Sequence, residues 1–162
     1  MFENELRHLA EEIGQLLMAK KQVVTLAESC TGGLVSALIT EVPGSSAWFD
    51  SGLVVYSNQA KQDLLKVKAS TLDQFGAVSE EVAAEMAIGA LNQGRADIAI
   101  SITGIAGPDG GTSEKPVGTV CFAWARKHFS TKTEKHLFQG NREEVRQQSV
   151  QTALLALKEL LK

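Results

Sequence analysis

Apolar residues recur at helical spacing in three long stretches of the chain. Residues 1–20 alternate leucine, isoleucine and alanine with Glu, Gln and Lys. Residues 79–94 open on Ser79-Glu-Glu, a capping serine followed by acids at the positive end of the helix dipole, and end at Gly94. Residues 141–161 open on Asn141 with Glu144 three positions on, which resembles a capping box. The pattern predicts three amphipathic helices.

Shorter apolar runs between these helices are typical of strands. They cover residues 23–27, 47–56 and 97–103. Two β-rich runs, 117–125 and 131–138, are joined by a short polar link and predict an antiparallel hairpin. Helices before, between and after these strands predict a single three-layer α/β/α domain with a mixed sheet over residues 1–162.

Three short helices complete the prediction. Residues 34–40 form one that ends before the turn signal Pro43-Gly44. Asn58 is predicted to cap the next, in which Lys61 is the third residue. A capped turn over residues 70–76 is the third. We expect Ser29 and Lys61 both to be solvent-accessible at helix starts and not in the core.

Composition narrows the classes of function. The net charge of −3 comes from interspersed acids and bases with no basic stripe, which disfavours binding to nucleic acid or to an anionic membrane. Cys30 and Cys121 lack the CxxC spacing of zinc sites and disulfide frameworks, and they suit a reducing compartment. The chain opens on acidic amphipathic sequence, and no apolar run reaches membrane-spanning length. A cytoplasmic protein is the expectation.

The stretch 25–33 is the leading candidate for chemistry, because an apolar strand breaks there into small polar residues and paired glycines. The turn places Ser29, Cys30 and Thr31 at a helix start, where free N–H groups and the helix dipole favour an anion. Gly32 and Gly33 lack a Cβ and would let a ligand approach the backbone. Helix capping and packing explain the same residues equally well.

A serine nucleophile needs a base, and the histidines are poor candidates. His8 lies in the first helix, while His128 and His136 lie in or beside the hairpin, far from the glycine-rich turns. No cluster of His, Cys, Asp and Glu suggests a metal site. Lys61 could serve if burial or the helix dipole lowered its pKa, and Tyr56 could relay a proton or orient it. Spacing alone favours this pairing only weakly.

The longest glycine-rich loop, residues 104–112, follows a predicted strand and resembles phosphate-binding loops in its many backbone N–H groups. It lacks the Gly-Lys-Ser/Thr of a Walker loop and the GxGxxG spacing of dinucleotide sites. Lys115 and Arg142 could supply positive charge to a phosphate. Either residue, taken alone, is more easily explained as a solvated surface group.

Taken together, several motifs resemble the CinA C-terminal domain family, and above all its standalone bacterial nicotinamide-nucleotide amidohydrolases. They are Ala27-Glu-Ser-Cys-Thr-Gly-Gly33, Tyr56-Ser-Asn-Gln-Ala-Lys61, Gly76-Ala-Val-Ser79, Thr103-Gly-Ile-Ala-Gly-Pro-Asp-Gly-Gly111 and Lys115-Pro-Val-Gly-Thr119. The resemblance covers nearly the whole chain. It implies hydrolysis of the carboxamide of nicotinamide mononucleotide, in pyridine-nucleotide recycling.

The resemblance also implies roles for individual residues. Ser29 is then the nucleophile, Lys61 its base and Tyr56 an assisting residue, with no metal or organic cofactor. Backbone N–H groups near Cys30 and Thr31 would hold the oxyanion. The remaining expected substrate-binding residues are Gly32, Gly33, Asn58, Thr103, Gly104, Ala106 and Arg142.

Two alternatives stay open at this point. Cys30 could replace Ser29 as the nucleophile, since a thiol at a helix start is also activated. The domain could instead be a non-catalytic nucleotide-binding or competence-associated interaction module. The resemblance further suggests a homodimer, for which Trp48 and Phe49 could supply apolar contacts unless both are core residues.

Overall fold

The computed structural model describes residues 2–162 and contains five strands and six α-helices. Three of the helices, at Asn4–Lys20, Glu80–Gln93 and Arg142–Leu160, are the long amphipathic helices that the sequence predicts. In chain order the elements are α1 Asn4–Lys20, β1 Val24–Glu28, α2 Leu34–Thr40, a 3₁₀ turn Ser45–Ala47, β2 Phe49–Val54, α3 Asn58–Leu65, α4 Ala69–Phe75, α5 Glu80–Gln93, β3 Ile98–Gly104, β4 Thr119–Arg126, β5 Lys132–Leu137 and α6 Arg142–Leu160.

The strands form one mixed sheet in the order β2-β1-β3-β4-β5. β1 pairs in parallel with β2 and β3, while β4 is antiparallel to β3 and to β5. The predicted hairpin is therefore confirmed as β4–β5. β1 is buried along its whole length, as expected of a parallel strand covered on both faces.

Each face of the sheet carries its own apolar core. On one face α1, α2 and α6 pack over the sheet through residues such as Ile13, Leu38 and Leu154. On the other, α3, α4 and α5 pack through residues such as Leu65 and Met86. Helices on both faces of a mixed sheet confirm the predicted α/β/α fold.

Two helix starts follow the predicted capping chemistry, but those of α3 and α4 do not. The capped turn predicted over residues 70–76 is α4, which begins after Lys68 with no side-chain cap. Asn141 and Glu144 form a full capping box at α6, and the Ser79 hydroxyl accepts a hydrogen bond from the Val82 N–H at α5. At α3, however, Ser57 and not Asn58 is the cap, accepting from the N–H of Ala60. Lys61 is consequently the fourth helical residue, not the third.

Trp48 lies in the core, not on the surface. Its side chain is 1% exposed and packs so closely over α1 that a Cβ at Gly14 would lie 2.8 Å from the indole ring. Trp48 therefore cannot supply contacts to a second copy of the chain, whereas Phe49 is half-buried. Among residues 2–162, no helix has the length and apolarity needed to cross a membrane.

Candidate active site

Ser29 lies at a topological switch point of the sheet, where the next two strands in the chain, β2 and β3, lie on opposite sides of β1. It directly follows β1, from which the chain passes to β2 on one side and later returns as β3 on the other. The carboxyl ends of β1 and β3 meet at this edge, and Gly104 is the last residue of β3. Crevices at such switch points of α/β sheets are where ligands bind.

A cleft of about 240 Å³ opens at this edge. Most of the residues that the sequence singles out border it, although they are distant in the chain. They are Ser29, Cys30, Tyr56, Asn58, Lys61, Thr103, Gly104, Ala106 and Arg142.

The Thr31 side chain and the two glycines that follow it do not border this cleft. The Thr31 hydroxyl is buried and donates a hydrogen bond to Oε1 of Glu28 at 2.7 Å. Gly32 and Gly33 have φ angles of 57° and 98°, which other residues rarely adopt. The structure therefore accounts for both glycines by the left-handed turn into α2.

The Lys61 side-chain nitrogen Nζ lies 2.9 Å from Ser29 Oγ. It also lies 3.0 Å from each of two backbone carbonyl oxygens, those of Val55 and Tyr56. The expectation that Ser29 and Lys61 are solvent-accessible is wrong, because the two residues are only 7% and 1% exposed. The stem of Lys61 crosses the core between α3 and the sheet, and burial lowers the pKa of its amino group below 10.5.

Tyr56 contributes its backbone, not its phenol, to this cluster. The carbonyl accepts from Lys61, whereas the side chain is 63% exposed. Its hydroxyl accepts a long hydrogen bond of 3.3 Å from Nη2 of Arg142. The phenol therefore borders the mouth of the cleft, where Arg142 also donates to the Gly107 carbonyl at 2.8 Å.

The Cys30 thiol is buried beside Ser29, and burial raises its pKa to about 12. Only a minute fraction of such a thiol is ionised near neutral pH, and the thiolate is the reactive form. Burial of the thiol thus counts against the alternative in which Cys30 is the nucleophile.

Glu28 is a site residue that sequence reasoning missed. Its buried carboxylate accepts four hydrogen bonds: Oε1 from the Thr31 hydroxyl and the Val35 N–H, and Oε2 from the N–H and hydroxyl of Ser36. The free N–H groups at the start of α2 therefore bind Glu28 and not a ligand. The available signal was a carboxylate ending an otherwise apolar run, directly before the serine.

We expect Glu28→Gln to lower the free energy of unfolding by about 2–3 kcal/mol, because an amide NH₂ would face backbone N–H donors that lose their acceptor. Asp97→Asn is the matched control, since that carboxylate accepts one N–H, from Val23 at 2.8 Å, and an amide oxygen can replace it. Urea unfolding measures both variants. Equal losses in the free energy of unfolding of the two variants would contradict the role of Glu28 as the acceptor that holds the start of α2.

The other candidate cations and ligands lie elsewhere. Lys115 donates to the Phe75 carbonyl and does not border the cleft. His8 contacts Glu11 on the surface, and His136 contacts Glu134 at the sheet edge. Within residues 2–162, no group of three His, Cys, Asp or Glu side chains is placed to hold a metal ion.

The chain was compared with protein families and with known proteins. The family model described as the CinA C-terminal domain matches residues 6–161. A protein named nicotinamide-nucleotide amidohydrolase PncC from Enterobacter agglomerans is 57% identical over 158 residues, which cover 95% of this chain and 96% of that protein. The Escherichia coli protein of the same name is 54% identical, covering 97% and 95%.

A solved structure agrees with these sequence matches. The crystal structure of a competence/damage inducible protein, CihA, from Agrobacterium tumefaciens superimposes with a TM-score of 0.97 at 42% identity, covering 100% of this chain and 99% of that one. The family match spans nearly every element from α1 to α6. The chain therefore belongs to the CinA C-terminal domain family.

Proposed function

We propose that this protein is an amidase that hydrolyses the carboxamide of nicotinamide mononucleotide to nicotinate mononucleotide and ammonia, in the recycling of pyridine nucleotides. The observation that carries the proposal is the contact between Ser29 and a buried lysine, Lys61, in a cleft. It occurs in a chain 57% identical to a protein named for that activity.

The hydrogen bonds around Lys61 suit a neutral amine. A neutral amine has two N–H donors and one lone pair, and the two carbonyl contacts, to Val55 and Tyr56, account for both donors. The lone pair is then left for Ser29 Oγ, 2.9 Å away, and in this neutral state the serine hydroxyl donates to the amine. This arrangement is the one that general-base activation of a serine requires.

Backbone N–H groups beside the nucleophile would stabilise the tetrahedral intermediate. Within residues 2–162, neither the Cys30 N–H nor the Thr31 N–H donates to another backbone or side-chain group. Two free, fixed donors next to an attacking hydroxyl form an oxyanion site.

The reaction then proceeds in two steps. Ser29 Oγ attacks the amide carbon and its proton passes to Lys61; the C–N bond breaks as Lys61 returns the proton to the departing ammonia. Lys61 next takes a proton from water, whose oxygen attacks the acyl ester. The ester bond to Ser29 breaks, its oxygen regains the proton, and nicotinate mononucleotide leaves.

The mouth of the cleft offers groups for the rest of the nucleotide. Arg142 has no carboxylate partner within ion-pair distance in residues 2–162, so its charge is available to a phosphate. Thr103, Gly104 and Ala106 also line the cleft. The homodimer and the cytoplasmic location stay predictions from the resemblance and the composition.

The proposed function predicts ammonia release from nicotinamide mononucleotide, measured by a coupled ammonia assay across pyridine nucleotides and ribosides. Activity should be unchanged in EDTA, because the mechanism assigns every proton transfer to Lys61 and needs no Lewis acid. Binding of the nucleotide without turnover would favour the interaction module instead. Loss of turnover in EDTA that one divalent ion restores would contradict the serine-lysine mechanism.

A further inference from the structure

The two proposed oxyanion donors belong to adjacent peptide groups. A peptide group is planar, and in the trans form its C=O and N–H point in opposite directions. The Cys30 N–H shares a peptide group with the Ser29 carbonyl and points away from it. The Thr31 N–H is related to the Cys30 carbonyl in the same way. A group that holds the carbonyl in place therefore also fixes the direction of the N–H in the same peptide group.

Each of these carbonyls has one partner. The Ser29 carbonyl accepts from the Gly32 N–H at 3.0 Å, a bond that closes the turn itself. The Cys30 carbonyl accepts from Nε of Arg146 at 3.1 Å. Arg146 comes from α6, 116 positions along the chain, so the second donor is oriented by tertiary structure.

Arg146 donates two hydrogen bonds to backbone carbonyls of the turn. Besides Nε on the Cys30 carbonyl, its Nη2 donates to the Thr31 carbonyl at 3.1 Å. Its guanidinium has no carboxylate within ion-pair distance in the described part of the chain. An uncompensated cation on a carbonyl draws electron density from the peptide group and strengthens its N–H as a donor.

From these contacts we propose that Arg146 is a positioning residue, which aims and polarises the Thr31 N–H toward the oxyanion. The inference rests on the proposed function. Arg146 does not border the cleft that holds Ser29 and Lys61, and in this proposal it acts through the two carbonyls and not on the substrate. Its contribution should be larger in the transition state than in the ground state, because negative charge on the substrate oxygen develops only during attack.

The surroundings of Arg146 make the proposal testable without unfolding the protein. Arg146 is half-buried and borders a groove of about 880 Å³ between the start of α1 and the start of α6, which adjoins the cleft at Arg142. Truncation therefore extends an existing groove and leaves the apolar core closed. A small cation can enter the vacated position from solvent.

The experiment compares Arg146→Ala with Arg7→Ala, in which the exposed guanidinium pairs with Glu41 at 2.9 Å. We expect Arg146→Ala to lower kcat about 10–100-fold with KM within about threefold of wild type, since one oxyanion donor is disordered but not removed. Arg146→Lys should recover part of the loss. Arg7→Ala should match wild type.

Chemical rescue separates positioning from a general structural role. Millimolar guanidinium chloride, far below denaturing concentrations, should restore kcat several-fold in Arg146→Ala and leave Arg7→Ala unchanged. A kcat equal to wild type in Arg146→Ala, a loss confined to KM, or no rescue by guanidinium would each overturn the inference. Ser29→Ala in the same assay tests the proposed mechanism separately from the role of Arg146. If Ser29→Ala keeps turnover, the proposed mechanism itself is wrong.

Discussion

Ser29→Ala should lose turnover by about four to six orders of magnitude, because it removes the oxygen that forms the acyl bond. The fold should persist: the substitution removes one hydroxyl whose side-chain contact is Lys61, a change of about 1 kcal/mol in stability. Ammonia release measures the first effect and urea unfolding the second. Substrate binding, followed by calorimetry, should be nearly unchanged.

Cys30→Ala is the matched control, since the neighbouring thiol shares the same turn and the same burial. It should keep turnover within about tenfold of wild type, because a thiol with a pKa of about 12 supplies almost no thiolate near neutral pH. If Cys30→Ala is inactive while Ser29→Ala keeps near-normal turnover, the thiol is the nucleophile. The serine mechanism then fails.

Local signals predicted most of the fold. Helical periodicity, the Ser79 and Asn141 caps and the two β-rich runs depend on neighbours in sequence, so they survive in the structure with boundaries shifted by a few residues. The strand before Ser29 and the glycine turn after it are equally local. The position of Ser29 at the end of β1 was therefore predictable from the chain itself.

The partners of Ser29 depend on packing between distant elements. Lys61 lies among Asn58, Gln59, Gln62 and Asp63, a polar setting that is typical of an exposed helix face. Only the packing of α3 against α5 and the sheet buries its side chain. Resemblance to the family, and not spacing, paired it with the serine.

Glu28 and Arg146 were missed for the same physical reason. Both act on the turn 29–36 through backbone groups, and backbone partners leave no signature in residue spacing. Arg146 looks like one more charged residue on the polar face of α6. Its role follows only once α6 is known to lie beside the turn.

The second large effect concerns Lys61, and its burial decides which variant to use. Lys61→Ala would open a cavity and lower the free energy of unfolding by about 2–5 kcal/mol. A loss of activity in that variant could then come from unfolding and not from the missing amine. Lys61→Met keeps an unbranched stem of similar length and removes the amine. We expect it to fold and to lose turnover by about four orders of magnitude or more, with the Ser29→Ala, Lys61→Met double variant hardly worse than either single change.

The pH dependence of wild type and Lys61→Met tests whether the lysine acts as a neutral base. Burial lowers the pKa of folded Lys61 below its unfolded value of 10.5, so between the two values the unfolded chain binds more protons than the folded one. The stability of wild type relative to Lys61→Met should therefore rise with pH across that window, and fall to its minimum below the folded pKa.

Because only the free amine accepts the serine proton, wild-type kcat/KM should rise with pH through the same folded pKa. Urea unfolding and ammonia release across pH give the two midpoints independently. A kcat/KM that falls as pH rises through the folded pKa would mean that the protonated lysine is the active form, and the general-base role would be lost.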